Sequence, residues 1–445
     1  MLKFGTDGVR GVANLDLTPE LVLAFGRAAA RVLGGSSFVV GRDTRRSGSL
    51  LESALVAGLA AEGVSVTSLG VAPTPAVAWL AAAEGVAGAV ISASHNSFED
   101  NGVKLFTAEG RKLTDEVEEA LESELHALMR HEDRRPARTG HEVGTVVDGR
   151  AQVDRWAESV IASIDGRGLD GVHVIVDCAN GAATHVAPTA LRALGATVAV
   201  LHDEPDGTNI NAGCGSTHPE DLREAVVRQG ADIGIAFDGD ADRVLAIDAD
   251  GRLVDGDQII AIMAVDRRDQ GRLAKDTVVV TVMTNLGFRL GMAEHGINVH
   301  EVPVGDRYVL EALADGGLSL GGEQSGHVIF ADLATTGDGL LTAVQLLDAV
   351  RRAGRPVADL ADRAMTRLPQ VLRNVRVDAK GMDVTAAVAA EISAVEAELG
   401  DHGRVLIRTS GTEPLVRVMV EAPSEAAAER AADQLVDAVQ RLGPL

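Results

Sequence analysis

The sequence predicts three α/β units followed by a smaller α+β unit. Length is the first reason: 445 residues exceed one hydrophobic core, and at roughly 100–200 residues per domain they call for three or four domains. Periodicity is the second. Short apolar runs alternate with Ala/Leu-rich helical stretches through most of the chain, the signature of α/β layers. The third is a change of character near the end, where strands and two longer helices replace that alternation.

Taken in order, strands are expected at 38–40, 64–69, 88–92, 172–177, 197–201, 233–237, 277–282 and 298–302. Most are continuous apolar runs, as parallel strands covered on both faces require. Helices are expected between them, among others at 19–33, 50–62 and 222–229. The last unit reads as a strand at 371–377, a helix at 384–399, strands at 405–408 and 416–421, and a helix at 424–442. Polar linking stretches fall at 130–149, 248–257 and 363–370. The expected domains are 1–147, 148–250, 251–366 and 367–445.

Hydrophobic residues make up 46% of the chain and charged residues 24%, an ordinary globular balance. Aromatics are only 2%, so the core must be built from Ala, Val, Leu and Ile. The formal charge of −24 repels nucleic acid and anionic membranes, and neither is expected as a partner. A phosphate ligand would need local arginines, lysines, backbone N–H groups or a metal to overcome that field. Cys178 and Cys214 form no disulfide framework in a chain of this length and read as inert buried thiols. The start of the chain has no apolar signal-peptide core, and its most apolar stretch, 70–92, is interrupted by Pro73, Pro75 and Glu84. A cytoplasmic location is expected.

Four segments carry chemistry. In Ile91-Ser-Ala-Ser94-His95-Asn96 a buried strand ends in a polar burst, where α/β proteins place ligands. Ser94 is a candidate nucleophile, although alone this segment reads first as a turn capping the next helix. In Asp238-Gly-Asp240-Ala-Asp242-Arg243, carboxylates at every second position of an extended segment point to one side. They repel unless a cation neutralises them, and hard oxygen ligands suit Mg²⁺, Mn²⁺ or Ca²⁺, the alternative being a solvated acidic turn. An EF-hand does not fit, because Arg243 and Ala249 stand where Gly and Glu are required. Gly321-Gly-Glu323-Gln-Ser325-Gly-His327 offers hydrogen bonds suited to a polyhydroxy ligand, and by itself is also an ordinary turn. In Arg408-Thr-Ser410-Gly411-Thr412-Glu-Pro-Leu-Val-Arg417, hydroxyl and backbone donors at a glycine turn lie between two arginines, which suits phosphate and equally reads as a β-hairpin loop with exposed arginines.

Other signals fail. Gly166-Arg-Gly-Leu-Asp-Gly171 matches a dinucleotide fingerprint but precedes a strand instead of following one. There is no P-loop, no H-E-x-x-H, and no G-x-S-x-G around Ser94.

Together and in this order, from Phe4-Gly-Thr-Asp-Gly-Val-Arg10-Gly to Arg417, the four loops resemble the α-D-phosphohexomutase superfamily. That resemblance implies four domains in a heart-shaped arrangement, three of them similar α/β domains with mixed sheets and the last an α+β domain. It implies that Ser94 is a phosphoserine in the active enzyme. Asp238, Asp240 and Asp242 then match Mg²⁺ ligands, with a Ser94 phosphate oxygen completing the site. Glu323 and Ser325 match the readers of sugar hydroxyls, and Arg408, Ser410, Gly411, Thr412 and Arg417 the loop for the distal phosphate. Arg10, Lys104, Arg243, Arg307 and His327 match basic residues around the transferring phosphate. Lys104 and His327 are the acid/base candidates, with His95 beside the nucleophile. Gln324, where the glucose and mannose branch typically has Met, and the run Asn211-Ala-Gly-Cys-Gly-Ser-Thr-His218 look like the branch that interconverts glucosamine-6-phosphate and glucosamine-1-phosphate. The implied intermediate or activator is glucosamine-1,6-bisphosphate or glucose-1,6-bisphosphate. The implied role is supply of UDP-N-acetylglucosamine and cell-wall precursors, by a monomer or homodimer. Ser97 and Thr409 depart from the family pattern, each standing where Pro is usual.

Overall fold

A computed structural model of the chain describes residues 8–130, 135–376, 383–409 and 415–443. They form two compact units, one of 1–282 with 297–361 and the other of 283–296 with 362–445.

The first unit contains three mixed sheets. The first sheet holds β1 (Val9–Val12), β2 (Ser37–Arg42), β3 (Ser65–Val71), β4 (Ala87–Ile91), β5 (Asp100–Phe106) and β6 (Val146–Asp148), in the order β1-β5-β4-β2-β3-β6. β4, β2, β3 and β6 run parallel, while β5 pairs antiparallel with both β4 and β1. The helices Pro19–Leu33, Gly48–Ala61 and Asp115–Met129 share one core with this sheet, built on Val, Leu, Ile and Ala. Thr18 caps the first of them, its hydroxyl accepting from Leu21 N, and Pro19 follows at a position where a missing N–H costs nothing.

The second sheet orders β11 (Leu253–Val254), β10 (Val244–Asp248), β9 (Ile233–Phe237), β7 (His173–Asp177) and β8 (Thr197–Leu201). β8, β7 and β9 are parallel, and β9 turns back antiparallel into β10. The third sheet orders β13 (Asn298–Val302), β12 (Thr277–Thr281), β14 (Leu320–Gly322) and β15 (Val328–Phe330), with β14 and β15 as its antiparallel hairpin. The helices Gly256–Asp269 and Gly339–Ala353 are buried along most of their length and pack together. Both start at an aspartate cap, Asp255 and Asp338. Cys178 and Cys214 are free and buried, and burial pushes the Cys214 thiol up to about 12. No helix among the described residues is long and apolar enough to cross a membrane.

The second unit is an α+β domain. Its antiparallel sheet orders β16 (Gln370–Arg376), β18 (Leu415–Glu421) and β17 (Arg404–Thr409), and the helix Glu425–Gln440 shares its core. The helix expected over 384–399 is divided in two at Val388, whose backbone leaves helical values at φ −113° while its side chain is buried in the core. Glu421, fully buried, accepts from Leu286 N at 2.9 Å and Arg404 Nε at 3.1 Å, and so ties the segment 283–296 into this unit.

The expected strands are present, with ends shifted by a residue or two. Several went unforeseen for physical reasons. β14 and β15 are three residues each, too short for a periodic signal. β6 is exposed throughout and sits in the stretch read as a polar linker.

Asp338 yields a stability prediction. It caps its helix through Leu341 N at 2.9 Å and accepts from the buried Trp156 Nε1 at 3.0 Å. Burial raises its pKa from 3.8 to about 6. A carboxyl raised in the folded state stabilises most when protonated, and this contribution is lost as pH climbs through about 6. Asp338→Asn, which supplies one acceptor oxygen instead of two, should therefore lower the urea midpoint more at pH 5.5 than at pH 8, with tryptophan fluorescence as the probe. An equal loss at both pH values would contradict the raised pKa.

Candidate active site

β4 and β9 end near each other, and the loops that leave them meet. Ser94, three residues beyond β4, adopts φ +53°, a left-handed conformation that a side chain disfavours. Its hydroxyl donates to Asp238 Oδ2 at 2.6 Å, and His95 Nδ1 lies 3.3 Å from Ser94 Oγ. Asp238 follows directly on β9.

The three aspartates converge, though not as alternate positions of an extended segment. Residues 238–242 form a turn in which Ala241 N donates to Asp238 O and Ala241 takes φ +58°. Their carboxylate oxygens come within 4.8 Å of one another, and all three side chains are buried. Gly239 permits the close approach: a Cβ there would meet Ser94 O at 2.6 Å.

Lys104, on β5, is 3% exposed and donates from Nζ to Asp240 Oδ2 at 2.8 Å and to Asp242 Oδ2 at 3.2 Å. Thr74 Oγ1 also donates to Asp240 Oδ2, at 2.6 Å. Arg243 N donates to Asp238 Oδ1. Asp240 Oδ1 and Asp242 Oδ1 remain, both buried and neither accepting a hydrogen bond among the described residues. Buried carboxylate oxygens without donors are costly. An all-oxygen set of Asp238, Asp240, Asp242 and Ser94 Oγ fits a hard divalent cation.

The electrostatics follow from this crowding. Burial, then repulsion from Asp242 and Asp240, holds the Asp238 carboxyl well above its ordinary range. Burial would raise Asp242 too, but Lys104, His327 and Arg243 together hold it well below. Burial, then the charges of Arg243 and Arg10, lowers His95 to about 4, so its imidazole is neutral at physiological pH. Arg10 stands on β1 opposite Gly102 of β5.

His327, at the head of β15, is 2% exposed. Gly337 N donates to its Nε2 at 3.2 Å, which places the ring proton on Nδ1, 3.8 Å from Asp242 Oδ1. A Cβ at Gly337 would meet the ring at 2.4 Å. Asp306 Oδ2 lies 3.5 Å from Nε2 and is ion-paired with Lys112. Burial disfavours the His327 cation, but Asp242 and Asp306 outweigh it and raise the pKa.

The β14–β15 hairpin carries Glu323 and Ser325. Glu323 Oε1 accepts from Gly305 N at 3.2 Å, while the Ser325 hydroxyl is buried and has no partner among the described residues. Gly326 O accepts from Val244 N, so this hairpin is stitched to the strand that leaves the aspartate turn. Arg307 is less available than the sequence suggests. Asp115 and Glu118 of the helix Asp115–Met129 hold its guanidinium, and it reaches a ligand only by exchanging them.

In the second unit, Arg408 and Arg417 face each other across β17 and β18. Burial and then the neighbouring Arg417 lower the Arg408 pKa, a pairing that an anion would relieve. Ser410, Gly411 and Thr412 lie outside the described residues.

Three residues around the site escaped the sequence reading, Asp43, Arg45 and Thr74, and Asn211 entered it only as part of a branch signature. Asn211 Nδ2 donates to the carbonyls of Ser94 at 2.9 Å and Asn96 at 3.0 Å. The run Gly41-Arg-Asp-Thr-Arg45 closes a buried strand as the Ser94 loop does, and that signal could have found it.

The chain matches all four domains of the phosphoglucomutase/phosphomannomutase family: alpha/beta/alpha domain I over 1–132, domain II over 154–251, domain III over 255–368 and the C-terminal domain over 372–438. A phosphoglucosamine mutase of Acidothermus cellulolyticus is 56% identical over 451 residues, covering 99% of this chain and 96% of that one. One of Frankia alni is 54% identical over 455 residues, covering 99% and 98%. A crystal structure of a phosphoglucomutase/phosphomannomutase family protein from Burkholderia thailandensis superposes with a TM-score of 0.80 at 26% identity, covering 98% of this chain and 97% of that one. With four domains matched in order and more than half of its residues shared with such enzymes along its whole length, the chain belongs to the phosphoglucosamine mutase family of isomerases.

Proposed function

We propose that this chain interconverts glucosamine-6-phosphate and glucosamine-1-phosphate by passing a phosphoryl group through Ser94. One observation carries the reading: a serine held at φ +53° points its hydroxyl into a buried triad of aspartates, 2.6 Å from Asp238. Such strain persists where surroundings over-determine it, and it marks functional positions. A binding protein has no use for a nucleophile presented in this way.

Phosphoryl transfer asks a protein for positioning and charge compensation more than for covalent versatility. Asp238, Asp240, Asp242 and Ser94 would hold Mg²⁺, which when bound offsets charge on the phosphoryl oxygens. Phosphorylated Ser94 would donate to the free hydroxyl of a sugar monophosphate. The serine O–P bond breaks as a sugar O–P bond forms, the sugar hydroxyl proton passes to a base, and the departing serine oxygen takes up a proton from an acid. The product of this half-reaction is a 1,6-bisphosphate. After it turns around, its other phosphoryl group returns to Ser94 by the reverse step.

Lys104 and His327 are the groups we assign to proton transfer, with His95 neutral beside the nucleophile. Arg10, Arg243 and, after exchange of partners, Arg307 would face the transferring phosphate. Glu323 and the buried hydroxyl of Ser325, which has no partner among the described residues, would read the sugar. Arg408, Ser410, Gly411, Thr412 and Arg417 would take the distal phosphate. In this reading 1–147 carries the phosphoserine loop, 148–250 the metal loop, 251–366 the sugar loop and 367–445 the phosphate loop. The enzyme would act in the cytoplasm as a monomer or homodimer, with glucosamine-1,6-bisphosphate or glucose-1,6-bisphosphate as activator.

A coupled assay with Mg²⁺ and a hexose bisphosphate should give a kcat/KM for glucosamine-6-phosphate well above those for glucose-6-phosphate and mannose-6-phosphate. Equal or better use of the latter two would keep the chemistry and overturn the substrate. Asp240→Asn should weaken Mn²⁺ binding, followed by electron paramagnetic resonance, and lower kcat by at least about 100-fold. An unchanged titration would remove Asp240 from the metal site.

A further inference from the structure

The last arginine of Gly41-Arg-Asp-Thr-Arg45 is wholly internal, at 1% exposure. A guanidinium carries five N–H donors in one rigid plane, and here each has an acceptor. Nε donates to Asp43 Oδ2 at 2.8 Å. Nη2 donates to the carbonyls of Ser94 and Asn96, each at 2.9 Å. Nη1 donates to the carbonyls of Ser97 and, at 3.1 Å, Asp100. Four carbonyl oxygens of the loop 94–100 thus converge on one buried cation.

The amide side of Ser94 ends on the same pair. Ser94 N donates to Ser92 Oγ at 2.9 Å, and Ser92 Oγ donates to Asp43 Oδ2 at 2.7 Å. Asp43 is itself fully buried and also accepts from Arg45 N at 2.9 Å. Both backbone polar groups of Ser94 are therefore fixed by one ion pair, directly on the carbonyl and through Ser92 on the amide. From the second α/β domain, Asn211 adds its amide to the Ser94 and Asn96 carbonyls.

This arrangement explains how Ser94 keeps φ +53°. The left-handed conformation is strained for a side-chain-bearing residue. With its carbonyl and amide released, Ser94 would relax to negative φ. That change swings the Cα–Cβ bond and carries Oγ away from Asp238.

We propose that Arg45, ion-paired with Asp43, is a positioning residue of the reaction, holding Ser94 in the conformation that directs its hydroxyl at Asp238. The inference rests on the reading of Ser94 as the nucleophile given above. Lysine cannot take the place of Arg45, because three donors on one nitrogen do not span four carbonyls. Arg45 is buried beneath the loop and presents no donor to a sugar phosphate. Its loss displaces the nucleophile without removing a substrate contact, so it acts on kcat and leaves KM.

The test combines steady-state kinetics with amide hydrogen exchange on full-length Arg45→Lys and Ser92→Ala. A misplaced nucleophile should lower kcat of Arg45→Lys by about 100-fold. Loss of both hydrogen bonds of the Ser92 hydroxyl should lower that of Ser92→Ala by about tenfold. KM for glucosamine-6-phosphate should stay within about threefold of wild type in both. Faster exchange should be confined to 93–101. A folded Arg45→Lys with wild-type kcat, or with its whole loss in KM, overturns the proposal. Should Arg45→Lys fail to fold, Ser92→Ala decides in the same way. A wild-type chain that isomerises no sugar phosphate would sink the functional reading instead. The clamp would then be judged by exchange alone, and unchanged exchange over 93–101 in the variants would overturn it.

Discussion

Three carboxylates buried at the end of one strand set the terms for everything around them. Asp238 and Asp240 have no exposed side-chain surface and Asp242 has almost none. Like charges so placed in a dry interior are untenable without compensation. The fold brings Lys104 from β5, the Ser94 hydroxyl from the loop after β4, and Thr74 from the start of the helix Thr74–Glu84. Each comes from the first sheet and its flanking helix, while the aspartates come from the second. The charge problem and the alignment of the Ser94 hydroxyl with the aspartates thus have one solution.

That solution needs backbones to approach more closely than side chains allow. Gly239 lies against the Ser94 carbonyl and Gly337 against the imidazole of His327. In both places the glycine serves proximity: the loop must pass where a methyl group would collide. The Gly337 amide also selects the His327 tautomer, which aims the Nδ1 proton at Asp242. Asp338, next in sequence, caps its helix and binds Trp156, so the loop that sets the histidine is anchored in the core.

Much of this was legible in the sequence because function sits at strand ends. The apolar run Ile-Gly-Ile-Ala-Phe followed by Asp238 announced both β9 and its loop. The Ser94 segment did the same for β4. What escaped did so because function had overwritten the local signal. β5, Asp-Asn-Gly-Val-Lys-Leu-Phe, lacks a strand-like apolar run, yet every residue after Asp100 is buried. Its polar members are inside because they have partners there: Asn101 binds Ser47 Oγ and Lys104 binds the aspartates. Local rules fail where a site imposes its own needs. The aspartate turn shows the converse, since carboxylate convergence was expected from alternation along a strand and arises from a turn with Ala241 at φ +58°. The role of Arg45 escaped for a third reason: the strand end flags its loop, but its partners at 94–100 lie some fifty positions away in sequence, and no local pattern encodes them.

The central claim is that the transferred phosphoryl group passes through Ser94. Incubating the chain with a hexose 1,6-bisphosphate carrying labelled phosphate, followed by peptide mapping, tests it most directly. The account predicts label on the peptide containing Ser94, at that residue, discharged again by glucosamine-6-phosphate and absent from Ser94→Ala. Label at another residue, or turnover by Ser94→Ala with no phosphoenzyme at all, would contradict it.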